Sequence, residues 1–201
     1  MRWQAVAAAL ALMVLAGCQT SSQRAELLPL EQLLPGYYTA RYDGEVIYHK
    51  IVVIRAPTLG KRVLYHQISR EGFDGAAAQQ KIYVLKPSGD GMRALVVSQD
   101  SEKYRNLETK PQLAADLREE AFLQFPSECD FVWTKETDGY LGRVEPTQCQ
   151  YDSPAFGGAI NPSMTYRLTA RELAITETLL RANGEPVFPT SHMVGVRTGR
   201  K

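Results

Sequence analysis

Four Asp-Gly pairs constrain the fold of this chain more than any other feature of its sequence. They occur at 43–44, 74–75, 90–91 and 138–139, and most of them separate short runs of β-branched and aromatic residues. Asp-Gly is a preferred pair in the tight turns of β-hairpins, because both central positions of such a turn need positive φ. The sequence therefore predicts an antiparallel sheet built largely from hairpins.

The runs between these turns predict nine strands, at 36–42, 45–55, 62–69, 79–86, 92–98, 129–134, 140–145, 163–169 and 172–180. One helix is predicted at 111–122, because Leu113, Leu117 and Ala121 share a face and Pro111 stands near its start. Many short strands with one short helix predict an all-β fold in which the antiparallel sheet is closed or nearly closed.

The first residues of the chain have the pattern of an exported protein. Arg2 is followed by an apolar run from Ala5 to Leu15 and then by small residues before Cys18. The run is shorter than the roughly 18 apolar residues that span a bilayer, so 1–17 is predicted to be a signal peptide. Residues 15–18, LAGC, resemble the lipobox of bacterial lipoproteins, which predicts lipidation of Cys18.

The lipidation signal predicts both the location and the organisation of the mature chain. Gln19, in place of Asp, resembles the Gram-negative sorting signal for the outer membrane. Acyl chains on Cys18 would then anchor the protein to the cell envelope, since each buried CH2 contributes about 0.8 kcal/mol. We expect a lipidated tether at 18–33, one barrel domain at 34–190 and a basic tail at 191–201, of which 197–201 is a frayed end.

The charge of the mature chain argues against a nucleic-acid partner. The sequence has 23 basic and 22 acidic residues, and removal of the signal peptide takes away Arg2 alone, which makes the two numbers equal. A nucleic-acid-binding surface needs an excess of basic residues to displace counterions. The membrane, through Cys18, and a small-molecule ligand are the expected partners; a protein partner is not identified by the sequence.

The remaining cysteines, Cys129 and Cys149, flank a predicted hairpin that turns at 138–139. In an oxidising compartment an even pair of cysteines predicts a disulfide. A zinc site would need four closely spaced ligands, and the histidines at 49, 66 and 192 are far apart. We therefore predict a disulfide clamp and no metal site.

A series of motifs in a fixed order resembles the CpcT/CpeT family of phycobiliprotein chromophore lyases, over about 34–188. The motifs are PGYYTA at 35–40, VLYHQ at 63–67, QQKIYVL at 79–85, CDF at 129–131, DGYLG at 138–142, LAITE at 173–177 and NGEPVF at 183–188. The resemblance implies a calycin-like, lipocalin-like β-barrel that holds an open-chain tetrapyrrole and transfers it to a cysteine of an antenna protein.

Two features of the family pattern are replaced in this chain. The Tyr-Arg pair that family members commonly have before the strand at 79–86 is here part of AAQQ at 77–80, and the family's C-terminal Trp-Gly segment reads PVF at 186–188. The antenna lyases are also cytoplasmic, whereas this chain is predicted to be exported. We therefore expect a barrel that binds or carries a small hydrophobic or tetrapyrrole-like ligand, and two alternatives remain: a bilin lyase, and a non-catalytic envelope interaction lipoprotein.

The candidate ligand-binding residues lie in predicted strands at or beside the family motifs. They are Tyr38, Arg41, Tyr65, Gln67, Tyr83, Trp133 and Tyr166. Arg41 could pair with a ligand carboxylate through two hydrogen bonds. His49 and His66 are interpreted as surface or satisfied core residues. No nucleophile elbow, phosphate-binding loop or HExxH helix occurs in the sequence, so no catalytic residue and no resident cofactor are assigned.

Overall fold

The computed structural model describes residues 27–97, 101–153 and 156–199, which form one antiparallel sheet of eleven strands. The strands are β1 (Gly36–Tyr42), β2 (Glu45–Ile54), β3 (Val63–Ser69), β4 (Ala77–Leu85), β5 (Gly91–Val96), β6 (Phe131–Lys135), β7 (Gly139–Val144), β8 (Tyr151–Ser153), β9 (Gly158–Thr169), β10 (Glu172–Arg181) and β11 (Ser191–Gly199).

The described helical segments are short. The α-helices are α1 (Leu30–Leu33), α2 (Ser101–Tyr104) and α3 (Pro111–Ala115). Single 3-10 turns occur at Leu107–Thr109, Glu119–Ala121 and Ser127–Cys129. Apart from α1, these segments belong to the long connection between β5 and β6.

The sheet closes on itself. Strands β1 to β7 are neighbours in chain order, β7 pairs with β9, β9 with β10, β10 with β11, and β11 with β1. Ten strands thus form a continuous ring, and β8 is an additional strand that pairs with one end of β9. Closure pairs the edges that an open sheet would leave exposed.

Strand alternation separates the side chains into two apolar clusters. The larger cluster lies in the barrel lumen and includes residues such as Tyr38, Tyr83 and Tyr166. The smaller cluster lies on the outer face of β3 to β5, where residues such as Tyr65 and Ile82 are covered by the connection that contains α2 and α3. The lumen and this covered outer face are therefore two distinct interiors.

One end of the barrel is closed by the beginning and the end of the described chain. Leu30 and Leu33 of α1 are buried in the lumen core. Arg197 of β11 donates hydrogen bonds to the carbonyl oxygens of Leu33 (2.6 Å) and Pro35 (2.7 Å), and its guanidinium lies 4.6 Å from the centre of the Tyr38 ring. This contact joins the last strand to the first helix and covers this end of the barrel.

The structure confirms the predicted fold class, an all-β antiparallel barrel. Each of the nine predicted strands is present, with bounds that differ by a few residues at most ends. At the first Asp-Gly pair, Asp43 and Gly44 have φ of 50° and 79° and form the two-residue turn between β1 and β2. The turn chemistry of the sequence thus predicted this local geometry correctly.

The predicted helix at 111–122 is wrong in its extent. Helix α3 ends at Ala115, and a separate 3-10 turn follows at Glu119–Ala121. Arg118 between them is extended, with φ of −132° and ψ of 143°. The segment gains its stability by packing Leu117 and Phe122 against the outer face of the barrel rather than by continuous helical hydrogen bonding.

The barrel extends further at both ends than the sequence pattern predicted. The expected basic tail at 191–201 contains β11, which completes the ring through its pairing with β1 and β10. The expected tether at 18–33 contributes α1, whose leucines are core residues. The inward positions of β11 include Ser191, Gly195 and Arg197, whereas Val194 and Val196 are exposed, so the strand lacks the usual alternation of apolar inward and polar outward residues. Only its tertiary pairing identifies it.

The signal peptide predicted at 1–17 and the lipidated Cys18 lie outside the described residues. No helix in the described part of the chain is long and apolar enough to cross a membrane.

The predicted disulfide is confirmed. Cys129 and Cys149 are bonded, and both are buried at the edge of the lumen core. The bond joins the turn before β6 to the loop after β7, so it encloses this hairpin. No thiol is left at these positions for nucleophilic or metal chemistry while the bond is intact.

We expect the double variant Cys129→Ala/Cys149→Ala to have a free energy of unfolding lower by about 3 kcal/mol, because a loop of this length is no longer closed in the unfolded state. Urea unfolding in oxidising buffer measures the change. Reductant should destabilise the wild type by a similar amount and leave the double variant unchanged. Equal stability of the two oxidised proteins would contradict a stabilising role for the disulfide.

Candidate functional site

The candidate site is a cavity of about 400 Å³ at the open end of the barrel. Most of its lining is apolar, and two charged side chains, Lys81 and Glu177, also reach it. Its apolar lining comprises Ala94, Val96, Leu123, Phe125, Phe131, Val144, Pro162, Met164, Leu179, Phe188 and Pro189. The volume and the mixture of many apolar groups with a few polar ones are typical of small-molecule sites.

A smaller cavity of about 190 Å³ lies beside the first. The two share Tyr42, Gln79 and Glu177, and the smaller one also reaches His49 and Tyr166. Glu177 therefore stands where the two spaces meet. The lumen at this end offers one compound site with polar groups at its centre.

Lys81, Tyr166 and Glu177 form a hydrogen-bonded group in the lumen. The Lys81 ammonium lies 3.1 Å from Oε1 of Glu177 and 3.3 Å from the Tyr166 hydroxyl. The Tyr166 hydroxyl donates a 2.6 Å hydrogen bond to the same carboxylate oxygen. The Lys81 side chain is only 7% exposed and that of Glu177 is 26% exposed, so the carboxylate is the more accessible partner.

The two charged groups hold each other ionised. Burial alone would lower the pKa of Lys81, but Glu177 outweighs burial and the net pKa is raised. Burial would likewise raise the pKa of Glu177, but Lys81 and the hydrogen bond from Tyr166 lower it. Burial and the adjacent carboxylate raise the pKa of Tyr166 well above its usual value, so the phenol stays protonated. At neutral pH the group is an ion pair with no net charge.

A second buried polar group extends from this ion pair into the barrel wall. Nδ1 of His49 lies 3.1 Å from Nε2 of His66, and Nδ1 of His66 lies 2.9 Å from the Tyr83 hydroxyl. All three side chains are buried, and His66 is directly opposite Lys81 on the neighbouring strand. This row of polar side chains has its hydrogen bonds satisfied internally, which is what allows it to lie in an apolar lumen.

Both histidines are neutral at physiological pH. Burial and the positive charge of Lys81 lower the pKa of His49 to about 4, despite the opposing effect of Glu177. Burial, together with His49 and Lys81, lowers the pKa of His66 well below its usual value. Protonation of either ring would place a second positive charge near the Lys81 ammonium.

The seven predicted ligand-binding residues divide between the two faces of the sheet. Tyr38, Tyr83, Trp133 and Tyr166 are buried in the lumen, as a lumen site requires. Of these four, Tyr166 lines the smaller cavity, whereas Tyr38 is at the closed end, where it donates a hydrogen bond to the Leu34 carbonyl. Their role in ligand binding stays a prediction.

The other three predicted residues are on the outer face. Arg41 is exposed and lies opposite Val46 in the register of β1 and β2. Tyr65 donates to Gln67, which in turn contacts Asn106 in the connection that covers this face. The buried ammonium of Lys50 binds the same connection through Glu108, at 2.8 Å, and Asn106. Tyr65, Gln67 and Lys50 thus hold the connection between β5 and β6 against the barrel, outside the cavity.

Sequence reasoning missed Lys81 and Glu177. Each stands two residues from a lumen-facing side chain of its own strand, Lys81 before Tyr83 and Glu177 after Ile175. A charged residue at an inward position of a barrel strand is the signal that could have identified them, because burial of an unpaired charge is unfavourable. Their pairing could not be read from the sequence, in which they are separated by 96 positions.

A third depression, of about 550 Å³, lies on the outer face and is lined by charged side chains such as Arg62, Arg93 and Glu119. It has no connection with the lumen groups described above. Within residues 27–97, 101–153 and 156–199, no group of three His, Cys, Asp or Glu side chains could hold a metal ion. The lumen cavity is thus the candidate site with both enclosure and converging polar groups.

Comparisons with known proteins bear on the fold. No protein-family model and no curated protein matches this sequence. A solved structure titled "SeMet CRL Protein of Arabidopsis" is similar to this chain, with a TM-score of 0.53 and 15% sequence identity over 84% of this chain and 91% of that one. At this level of identity the similarity shows a shared barrel fold alone.

The buried histidines predict that the barrel loses stability in mild acid. Because His49 titrates near 4 when folded and near 6.5 when unfolded, the unfolded chain binds more protons between these values. The free energy of unfolding should therefore fall by at least about 2 kcal/mol between pH 7.5 and pH 4.5. Urea unfolding at the two pH values measures it.

Two variants separate this effect from general acid sensitivity. His49→Gln should reduce the difference between the two pH values, since one of the buried imidazoles is removed. His192→Gln, which changes an exposed histidine on β11, should leave the difference unchanged. A wild-type barrel that is equally stable at both pH values would contradict the assignment.

Proposed function

We propose that this protein is a lipid-anchored envelope protein whose barrel binds or carries a small, largely apolar ligand. The observation that carries the proposal is the cavity of about 400 Å³, which is apolar over most of its lining and has the Lys81–Glu177 pair within it. A barrel packed solid with its own side chains would have no such space.

The shape of the barrel supports entry from one side. The end near Tyr38 is closed by α1 and Arg197, whereas the cavity lies among the strand ends and loops of the opposite rim. Phe188, which is 55% exposed, stands at this rim in an edge contact with Phe156, their ring centres 5.4 Å apart. An aromatic pair with one exposed ring at the mouth suits an entering apolar molecule.

The envelope location rests on the sequence. The basic start, the short apolar run and the LAGC motif before Gln19 support lipidation of Cys18 and transfer to the outer membrane. The disulfide is consistent with this location, because such bonds persist in oxidising compartments. A tetrapyrrole-like molecule is the ligand that the motif resemblance favours, and covalent transfer of it to a cysteine is the enzymatic alternative.

Native mass spectrometry of the full-length protein, gently extracted from its own membrane, tests ligand binding, with an absorption spectrum of the same sample. We expect a bound small molecule, and absorption in the visible if it is a tetrapyrrole. Ala94→Phe, which fills the cavity, should reduce its occupancy at least about tenfold, because the lost contacts bury much of the ligand.

Val132→Phe is the matched control, since Val132 is 62% exposed on β6 between two lumen residues and so points outward. It should retain the ligand. Circular dichroism confirms that both variants are folded. An empty wild-type barrel, or equal occupancy in Ala94→Phe and wild type, would count against the proposal and favour the interaction lipoprotein.

The anchor has its own test. Cys18→Ser should abolish the acylated N-terminal cysteine in an intact-mass measurement and release the protein from the membrane fraction. Gln19→Asp is the paired variant, and it should keep the acyl groups but shift the protein from the outer to the inner membrane. A mature wild-type chain that begins elsewhere than Cys18, or that carries no acyl mass, would disprove the anchor.

A further inference from the structure

The Lys81–Glu177 pair has unused hydrogen-bonding capacity on both partners. The ammonium has three protons, and its contacts with described residues use two of them, on Oε1 of Glu177 and on the Tyr166 hydroxyl. The Glu177 carboxylate receives both of its hydrogen bonds at Oε1, and among the described residues none reaches Oε2. One ammonium proton and one carboxylate oxygen thus have no hydrogen-bond partner among the described residues.

Both of these groups adjoin the cavity. Lys81 and Glu177 line the larger space, and Glu177 also lines the smaller one. The rest of the larger cavity is predominantly apolar, and its other polar side chains, Tyr42, Gln79, Tyr151 and Ser191, are uncharged, so Lys81 and Glu177 are its charged hydrogen-bonding groups. A ligand that fills the cavity must either satisfy this donor and acceptor or leave them without water and without partners.

The charge balance restricts which polar group can do so. The ion pair is neutral, and His49 and His66 are uncharged beside it. Arg70, which lines the smaller cavity, is itself paired with Glu45 at 3.1 Å. A ligand carboxylate would satisfy Lys81 but lie against the Glu177 carboxylate, and a ligand ammonium would satisfy Glu177 but lie against Lys81. Either would leave a net charge in a buried site, which is unfavourable.

A neutral group with a carbonyl and an N–H on the same edge avoids this conflict. The carbonyl accepts from the Lys81 ammonium, and the N–H donates to Oε2 of Glu177. An open-chain secondary amide is trans and directs its N–H and C=O to opposite sides. A small-ring lactam is held cis, so that both point the same way.

We propose that the barrel selects apolar ligands that bear a cis-lactam edge. Lys81 donates a hydrogen bond to the lactam carbonyl, and Glu177 accepts one from the lactam N–H. The inference rests on the proposed ligand-binding function and specifies the chemistry of that same site. Lys81 and Glu177 act as specificity-determining residues, and the apolar lining supplies affinity without discrimination.

Two planar tricyclic probes test the proposal because they differ in one group. Phenanthridin-6(5H)-one has the lactam edge, and 6H-benzo[c]chromen-6-one is the lactone in which oxygen replaces the N–H. Calorimetric titration of the full-length protein, freed of co-purified ligand, compares their affinities. We expect the lactam to bind at least about 10-fold more tightly, as for a hydrogen bond to a charged group.

The decisive variant is Lys81→Met/Glu177→Leu, which removes both charges together and so leaves neither buried alone. It should bind the two probes with affinities that agree within about twofold, with lactone affinity retained. Arg93→Met/Glu119→Leu removes a comparable ion pair, with 3.1 Å between nitrogen and oxygen, from the outer face. This control should keep the preference for the lactam.

Failure of the lactam preference can be distinguished from failure of ligand binding itself. If lactam and lactone bind wild type equally, the lactam inference fails while ligand binding stands. If phenanthrene-9-carboxylate or phenanthren-9-ylmethylammonium binds more tightly than the lactam, the site recognises a charged group and the lactam inference also fails. A preference that survives in the Lys81/Glu177 variant overturns the assignment of these residues. If no probe binds, both the inference and the proposed function are overturned.

Discussion

Closure of the sheet by β11 is the constraint on which the rest of this structure depends. The strand pairs with β10 on one side and β1 on the other, which turns ten strands into a ring without exposed edges. Its Arg197 also fastens α1 across one end, through hydrogen bonds to the Leu33 and Pro35 carbonyls. Among the described residues, α1 and Arg197 cover one end of the ring and the candidate cavity lies toward the other, so the position of the candidate site follows from this closure.

Closure also explains why charged side chains can lie inside an apolar lumen. Lys81 and Glu177 come from β4 and β10, which are not neighbours in the sheet, and they meet only because the sheet curves round. Separately, each would bury an unpaired charge; together, with Tyr166, they form a neutral hydrogen-bonded group. His49, His66 and Tyr83 continue this polar row and remain uncharged, so the ion pair is the principal electrostatic feature of the cavity.

The covered outer face shows a different use of the same chemistry. Lys50 is as deeply buried as Lys81, but its partners Asp74, Asn106 and Glu108 belong to loops that it holds against the barrel. Lys50 adjoins neither lumen cavity, and its ammonium has three protein acceptors within hydrogen-bonding distance. The Lys81–Glu177 pair, by contrast, keeps one hydrogen-bond donor and one acceptor without a partner among the described residues, and both side chains line the lumen cavity. Unused hydrogen-bonding capacity, rather than burial or charge alone, therefore distinguishes a site that can bind a ligand from a contact that stabilises the fold.

The sequence by itself determined the local features: the tight turn at Asp43-Gly44, nine of the eleven strands, the all-β class and the cysteine pair, because turn chemistry and side-chain alternation act over a few residues. At the other three Asp-Gly pairs the glycine does not have positive φ, so these pairs mark connections between strands but not the predicted two-residue turn. It also carries the export and lipidation signal of the first nineteen residues as a prediction. Only the tertiary structure decided that Arg41, Tyr65 and Gln67 lie on the outer face, that α1 and β11 belong to the barrel, and that Lys81 meets Glu177. These facts depend on which distant strands become neighbours when the sheet closes, and the spacing of residues along the chain does not encode that choice.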